Sequence, residues 1–588
     1  MVLLEQLKVR NYRSVKSEVF SLGSLAILIG KNNTGKSNVL RAINLLLEGT
    51  AKEVSEEDFF DQTKPIEIEA KISGVDALIS TLGQTNQTKL EECLAADRSI
   101  WIRRVAKVDK GEVQFGKIEI RQRDNDTYGT PTGIDAALRA ILPEVVHIQA
   151  LDDPVDAALG RATKPMGKLL ALIVGAIQTG AAESLEAAYS QVNKLLNVVK
   201  VEADGEVRET DERVNELRVT EQALNKYMAE GFPDASIRLK VNFPHVDELL
   251  PQTTVFIREG GVETQLSFKG HGLQRVFYLA LLRTVAEQVR QSKSGATSKP
   301  YLLLFEEPEL LLHPYAQQQM LTAVKTIATA IQVVVTTHSP FMVSPETIKG
   351  ALLLTKRRDS ETGKSATICL RGIGSSLDES SERELLTLLN LQRSSRFLFS
   401  DRVVLVEGVG DEHLLASMFF KLRGSRLEAH GVGVVEVGGK DKLPEYKTLL
   451  EALGLNVVAL ADLDFLWRGA GKVLQGVPEH SQFCEALKRD SQPVMENVVG
   501  EEQRDEQQKC VFTELARTKH RGPRDKLCSI LEGKGYLVLK EGEIEAYVDL
   551  TKSSKSKYLA ASREIEAGTR QIQYVAEIKA ILECVCAA

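Results

Sequence analysis

Gly30-Lys31-Asn32-Asn33-Thr34-Gly35-Lys36-Ser37 follows the apolar run Leu25–Ile29 and precedes the helical pattern Val39–Leu47. A strand, a G-x-x-x-x-G-K-S loop and a helix in that order form a phosphate cradle. Glycines let backbone N–H groups turn inward, and the helix N-terminus favours an anion. Lys36 is placed to bridge the β- and γ-phosphates of ATP, and the Ser37 hydroxyl to ligate Mg²⁺. Gly30, Asn32, Asn33 and Gly35 supply the surrounding backbone.

Downstream, the run Tyr301–Phe305 ends in Glu306-Glu307-Pro308. A buried strand that delivers paired acids at its carboxyl end suits Glu306 to hold Mg²⁺ through water and Glu307 to act as general base. Thr336-Thr337-His338-Ser339-Pro340 ends another apolar strand, and a neutral His338 there reaches a γ-phosphate and its attacking water. Ser267-Phe268-Lys269-Gly270-His271-Gly272-Leu273-Gln274-Arg275 opens a helix and resembles a degenerate ABC signature motif, with His271 between Gly270 and Gly272. Such a motif binds the nucleotide of the opposite protomer, so the expected assembly is a homodimer or a higher even oligomer. Asn11-Tyr12-Arg13-Ser14 resembles the adenine-side contact of RecF and SMC-type heads, with Arg13 as the contact. Gln149 is a candidate Q-loop glutamine, and His313-Pro314 resembles the turn that touches a facing protomer.

A fresh α/β pattern begins at Arg402, with strands Val403–Val406, Val432–Val437 and Val457–Leu460. The first delivers Glu407-Gly408, with Asp411 one helical turn on. The third delivers Asp462-Leu463-Asp464, whose alternate positions point the same way, so both carboxylates can face one cation. Glu-Gly followed by D-x-D, each after an apolar strand, resembles the Toprim domain of topoisomerases, primases and certain nucleases. Glu541, Glu543 and Glu545 follow Tyr536–Leu539, and Lys552-Ser553-Ser554-Lys555-Ser556-Lys557 comes soon after. The alternating acids read equally as a solvated strand edge or as a second metal site with a lysine for the scissile phosphate. Two ions about 4 Å apart would stabilise both oxygens of a phosphodiester displacement.

An ABC head with a helical insertion followed directly by Toprim resembles the OLD (overcoming lysogenisation defect) family of nucleases, which includes the GajA subunit of the Gabija antiphage system. The resemblance covers nearly the whole chain. It implies ATPase roles for Lys36, Ser37, Glu306, Glu307 and His338. It also implies Toprim metal ligation by Glu407, Asp411, Asp462, Asp464, Glu543 and Glu545. Lys557 best matches the family's catalytic lysine, with Lys555 as a substitute. Asp411 stands where a Glu is common, a shorter arm. Dimerisation through the ATPase half, double-stranded DNA as substrate and Mg²⁺ or Mn²⁺ as the ion follow from the same resemblance, as does a possible separate helicase or reverse-transcriptase partner.

The expected fold class is therefore α/β: an ABC-type P-loop ATPase head with an inserted helical dimerisation element, then a Toprim domain. The corresponding divisions are 1–164 and 233–375 for the two parts of the head, 165–232 for the insertion, 376–400 for linker helices and 401–588 for Toprim. Leu169, Leu172, Ile173 and Ile177 form one apolar face of the insertion, either packed on its own domain or used for dimerisation. The leading function is an ATP-regulated, metal-dependent DNA endonuclease or nickase in antiphage defence. A RecF-like DNA-binding mediator without cleavage and an RNA-cutting effector are the alternatives. The ATPase subunit of a transporter leaves the second half unexplained.

Composition fits this reading. With 588 residues the chain exceeds a single core, and 43% hydrophobic with 26% charged residues is ordinary for a globular protein. The net charge of −7 excludes a wholesale polycation but leaves room for a local basic groove. Seven scattered cysteines, without zinc-knuckle spacing, suit a reducing compartment. No run approaches the roughly 20 apolar residues of a membrane span, and the N-terminus lacks a signal-peptide layout. The expectation is cytoplasmic, with no membrane partner.

Overall fold

The computed structural model describes residues 1–122, 127–130, 133–150, 187–203, 206–231, 238–241, 255–270, 272–274, 276–277, 280, 283–284, 300–370, 379–392, 395–495, 501–551 and 555–586. The chain divides into two compact units. One comprises Met1–Leu3, Gly74–Glu92 and Thr132–Val333, the other Leu4–Ser73, Cys93–Pro131 and Val334–Ala588. No helix among the described residues is long and apolar enough to cross a membrane.

In the first unit the strand Tyr301–Glu306 pairs in parallel with Glu144–Ile148, Leu304 opposite His147. Leu302, Leu303 and Leu304 are fully buried, as a continuous apolar run in a parallel sheet requires. The helix Pro314–Ala328 follows, with Pro at its first turn and His313 as N-cap accepting from the Tyr315 N–H. The stretch expected to be a helical insertion is only partly helical. Its described residues include the helix Asn215–Gly231 and an antiparallel hairpin, Val199–Ala203 with Glu206–Thr210. The apolar face Leu169, Leu172, Ile173 and Ile177 lies outside the described residues.

The second unit opens with antiparallel pairs. Leu3–Tyr12 pairs with Val15–Ser21, and Ile66–Ser73 with Ile100–Asp109. Burial alternates strictly along Ile66–Ser73, the pattern of a sheet with one wet face. Leu25–Ile29 runs parallel to Ala351–Arg358, which turns back into Ser365–Leu370. The linker expected to be a helix pair is one α-helix, Glu379–Gln392, and one 3₁₀ turn, Arg396–Phe399. The turn still buries Phe397 and Leu398.

The C-terminal part holds a four-stranded sheet in the order Val432–Glu436, Arg402–Val406, Val457–Ala461, Tyr536–Val538. All pairings are parallel, with Val406 beside Glu436, Leu405 beside Ala459 and Ala461 beside Val538. The helix Val409–Arg423 buries Leu414, Leu415, Met418 and Phe419, which join Val404, Val406, Leu460, Tyr547 and Ile565 in one core. The short helix Phe465–Arg468 and the longer helices Pro478–Met495, Glu501–Arg517 and Arg521–Glu532 lie in the connection before the last strand. Because every strand runs the same way, all four carboxyl ends meet one edge. The chain leaves the Arg402–Val406 strand to one side and returns on the other, the switch point where open α/β sheets bind ligands.

Candidate functional site

The phosphate loop has the backbone its sequence calls for. Gly30 and Gly35 take φ of 144° and 100°, values an L side chain resists. A Cβ on Gly35 would sit 2.3 Å from Thr367 Oγ1, and one on Gly30 2.3 Å from the Leu354 carbonyl oxygen. Asn33 also lies at positive φ, while Asn32 and Asn33 are exposed. The helix Lys36–Leu47 starts from Gly35, with half-buried Ser37 in its first turn. The buried Lys36 ammonium donates to the Gly30 and Lys31 carbonyls at 2.9 and 2.8 Å. His338 follows the wholly buried strand Gln332–Thr337. Burial, with the Lys36 charge adding to it, pulls His338 down to about 4, so its imidazole is neutral at pH 7. Arg13, expected at the adenine, donates from Nε to Asp58 Oδ1 at 2.7 Å.

Lys31, inside the loop, forms an ion pair with Asp401. Asp401 immediately precedes the strand that ends before Glu407.

In the first unit, buried Glu306 ends its strand with Oε1 at 3.1 Å from His147 Nε2. Glu307 takes a φ of 43°, a left-handed conformation that is costly for a glutamate and turns the chain sharply at the strand tip. Gly270 is exposed and Gly272 half-buried, and the helix begins with the Leu273 and Gln274 N–H groups donating to the Gly270 carbonyl. Exposed apolar Phe268, Leu273 and Val276 flank them. Gln149 is exposed, and His271 and Arg275 lie outside the described residues.

The second constellation forms on the carboxyl edge of the four-stranded parallel sheet. One oxygen from each of Glu407, Asp462 and Asp464 lies within 4.8 Å of the others. The Asp462 N–H donates to Glu407 Oε1 at 3.2 Å, and the Ile544 N–H to Asp462 Oδ1 at 3.3 Å. Burial pushes the Glu407 carboxyl up, and the Asp464 charge adds to it. Asp462 is pushed well above the usual carboxylate range by burial and then by the charges of Asp411, Glu407, Glu543 and Asp464. Asp464 behaves differently: burial acts to raise it, but Lys440 and Lys509 prevail and hold it below the usual range. Lys440 Nζ pairs with Asp464 Oδ2, and Lys509 Nζ reaches the same oxygen at 3.1 Å. The other oxygen, Asp464 Oδ1, is buried with no hydrogen-bond partner.

That orphaned oxygen tests the site for a cation. A buried carboxylate oxygen without a donor is costly, and a metal ion is the partner that would satisfy it. The donor set is all oxygen, which suits hard divalent ions such as Mg²⁺ or Mn²⁺.

The remaining expected residues are held by other partners. Asp411 Oδ2 accepts the Gly408 N–H at 2.8 Å as a helix cap, and its charge still reaches Asp462. Glu543 pairs with Lys509, and buried Glu545 accepts from the Tyr558 hydroxyl. The three acids after Tyr536–Val538 do not form a strand edge, because a 3₁₀ turn, Ile544–Val548, begins directly after Glu543. Lys555 and Lys557 are exposed in the first turn of the helix Lys555–Ala567, and Lys552 lies outside the described residues.

Lys440 and Lys509 were not among the residues expected from sequence. Lys440 had a signal: Gly438-Gly439-Lys440 follows Val432–Glu436, the strand beside the one that delivers Glu407. The Gly439 N–H donates to the Glu407 carbonyl at 3.0 Å, and both glycines take positive φ, which brings Lys440 across the strand tips. Lys509 sits within a polar helix and had none.

Residues 398–464 match the family model "Overcoming lysogenization defect protein-like, TOPRIM domain". Residues 3–113 and 170–343 match the AAA ATPase domain. The chain is similar to the Old nuclease of Escherichia phage P2, at 32% identity over 79% of this chain and 78% of that protein. It is also similar to the OLD nuclease of Thermus scotoductus, at 25% identity over 79% and 82% of the two chains. The endonuclease GajA of Bacillus cereus is 21% identical over 78% and 74%.

Proposed function

The chain belongs to the OLD family of nucleases, and from that premise we propose that it is an ATP-regulated, divalent-metal-dependent endonuclease or nickase acting on double-stranded DNA. The observation that carries this reading is the convergence of Glu407, Asp462 and Asp464, one of which, Asp464, also buries an unpartnered oxygen, Oδ1. When bound there, Mg²⁺ or Mn²⁺ supplies Lewis-acid polarisation of a phosphodiester oxygen and a lowered water pKa. Glu407 and Asp462 hold the ion with Asp464, and Asp411 fixes the helix entry behind Glu407. Lys440 and Lys509 keep Asp464 ionised and so ready to ligate. Glu543 and Glu545 would form a second ligand group, and Lys557, with Lys555 as a substitute, best matches the family's lysine for the scissile phosphate.

ATP binds at Gly30–Ser37, with Lys36 and Ser37 on the phosphates and Mg²⁺, and with Glu306, Glu307 and His338 serving hydrolysis. Gly270 and Gly272, beside exposed Phe268, Leu273 and Val276, suit contact with a second copy, so the working unit is a homodimer or a larger even assembly. Control of cleavage by nucleotide is supported by the Lys31–Asp401 pair, which ties the phosphate loop to the strand behind Glu407. Antiphage defence in the cytoplasm is the role the family resemblance suggests.

Supercoiled plasmid incubated with Mg²⁺ or Mn²⁺, with and without ATP, tests the reading. Wild-type protein should nick or linearise it, and Asp462→Ala should not, while still hydrolysing ATP. Unchanged cleavage by Asp462→Ala would remove the nuclease assignment from this site.

A further inference from the structure

Beside the acid cluster lies an open groove of about 1000 Å³, lined by Arg468, Lys488, Gln492, Arg504, Gln508 and Lys509 among others. Its walls are the helices Pro478–Met495 and Glu501–Arg517 and the end of the short helix Phe465–Arg468. The short helix starts directly after Asp464. Trp467 holds it against the Glu501–Arg517 helix through an edge-on contact with Phe512, ring centres 5.7 Å apart.

The charge of this groove departs from that of the chain. Arg468, Lys488, Arg504 and Lys509 line it against Asp505 and Glu506, in a protein of net charge −7. Arg468 is already engaged by Asp505, at 3.3 Å to its carbonyl and 3.5 Å to its carboxylate. Lys488 and Arg504 are exposed and form no ion pair among the described residues. Exposed cations along a groove floor attract polyanions, and contacts to backbone phosphates position a duplex without reading its sequence.

One residue joins the groove to the acids. Lys509 lines the groove, and its ammonium bridges Asp464 and Glu543. Lys488, Arg504 and Lys509 thus line one groove, and the last of them touches Asp464 of the acid cluster.

We propose that this groove seats the sugar–phosphate backbone of duplex DNA and leads it to the acid cluster, with Lys488 and Arg504 as phosphate contacts and Lys509 as the residue that hands the strand to the cutting site. The inference rests on the nuclease reading of that cluster. Lys488 and Arg504 position substrate; neither is part of the metal-binding set.

The test compares full-length wild type with the double variant Lys488→Gln/Arg504→Gln. Binding of a fluorescein-labelled DNA duplex is measured by anisotropy in EDTA across a KCl series, alongside plasmid cleavage in Mg²⁺, ATP hydrolysis and Tm. Removing two phosphate contacts should flatten the slope of log K against log salt by about 2 and weaken binding roughly tenfold near physiological salt. ATP hydrolysis and Tm should stay at wild-type values, and Lys488→Arg/Arg504→Lys should restore binding. An unchanged slope and affinity in a protein whose wild type cuts plasmid would overturn the groove assignment and leave the nuclease reading standing. A wild type that cuts no DNA with either ion would overturn the nuclease reading, and this inference with it.

Discussion

The backbone N–H of Asp462 donates to Glu407 Oε1 at 3.2 Å, tying the tips of two adjacent parallel strands across 55 residues of chain. The bond orients Glu407 but also presses its carboxyl toward Asp464 and Asp462, so the acid cluster carries mutual repulsion that a bound cation relieves.

Asp462→Asn separates these effects. The substitution keeps the oxygen that accepts from Ile544 and removes one like charge. Cleavage should fall about a hundredfold or more, since even partners behind metal ligands typically cost about 10–100-fold when changed. Metal-free stability should move the other way. Burial and neighbouring acids raise the Asp462 carboxyl, so wild-type protein without metal loses stability as pH rises from the unfolded value through the folded one. The Asn variant lacks that loss, and its Tm advantage in EDTA should grow from pH 5 to pH 8. Thermal melts across that range check it, and a wild type that melts higher at every pH contradicts it.

The Lys31–Asp401 pair bears on nucleotide control. Both side chains are partly exposed, at 41% and 64%, so the pair contributes at most about 1 kcal/mol. A nucleotide phosphate that draws Lys31 away releases Asp401 at the foot of the Glu407 strand. Asp401→Asn should therefore change the ratio of cleavage rates with and without ATP by up to about fivefold. Nucleotide-free cleavage in high salt, where the pair is screened, should match wild type. An identical ATP ratio in the variant assigns control to another route.

The legible parts of both sites are those where linear spacing becomes spatial convergence by simple geometry. Gly30–Ser37 can be read because the loop closes on itself, and Glu407, Asp462 and Asp464 because parallel strands deliver their carboxyl ends to one edge. Glu543 and Glu545 were harder, since alternation implies an extended segment and the chain turns into a 3₁₀ helix there. Lys509 reaches Asp464 from a helix whose polar sequence gives its solvent face no distinction, and only tertiary packing assigns it. The hairpin Val199–Ala203/Glu206–Thr210 did carry a signal, Asp204-Gly205 between alternating residues. The helical composition around it masked that pattern.

His338 yields a second pH dependence, of ordinary sign for a depressed imidazole. Held near 4 by burial and Lys36, it stays neutral in the folded protein while the unfolded chain protonates near 6.5. The stability it contributes is complete above pH 6.5 and is lost as pH falls toward 4. Melting temperature should therefore drop more steeply between pH 7 and 5 in wild type than in His338→Gln. The ATPase rate of wild type should show no inflexion at 6.5, and an inflexion there would mean the imidazole titrates freely.

Lys440 offers the sharpest test of whether a cation belongs beside Asp464. Its ammonium pairs with Asp464 Oδ2 and competes with any divalent ion for the same buried carboxylate. Lys440→Met removes the competitor and leaves the buried charge with Lys509 alone. In EDTA the variant should be less stable, by about 1–3 kcal/mol for a buried charge that loses a partner. In Mg²⁺ it should recover, because the ion supplies the missing positive charge at a site that is now more negative. The Mg²⁺-induced rise in Tm should thus be larger for Lys440→Met than for wild type, and its half-saturating Mg²⁺ concentration lower. A variant destabilised equally with and without Mg²⁺ would mean that Lys440 is a structural counter-charge and that no ion reaches Asp464.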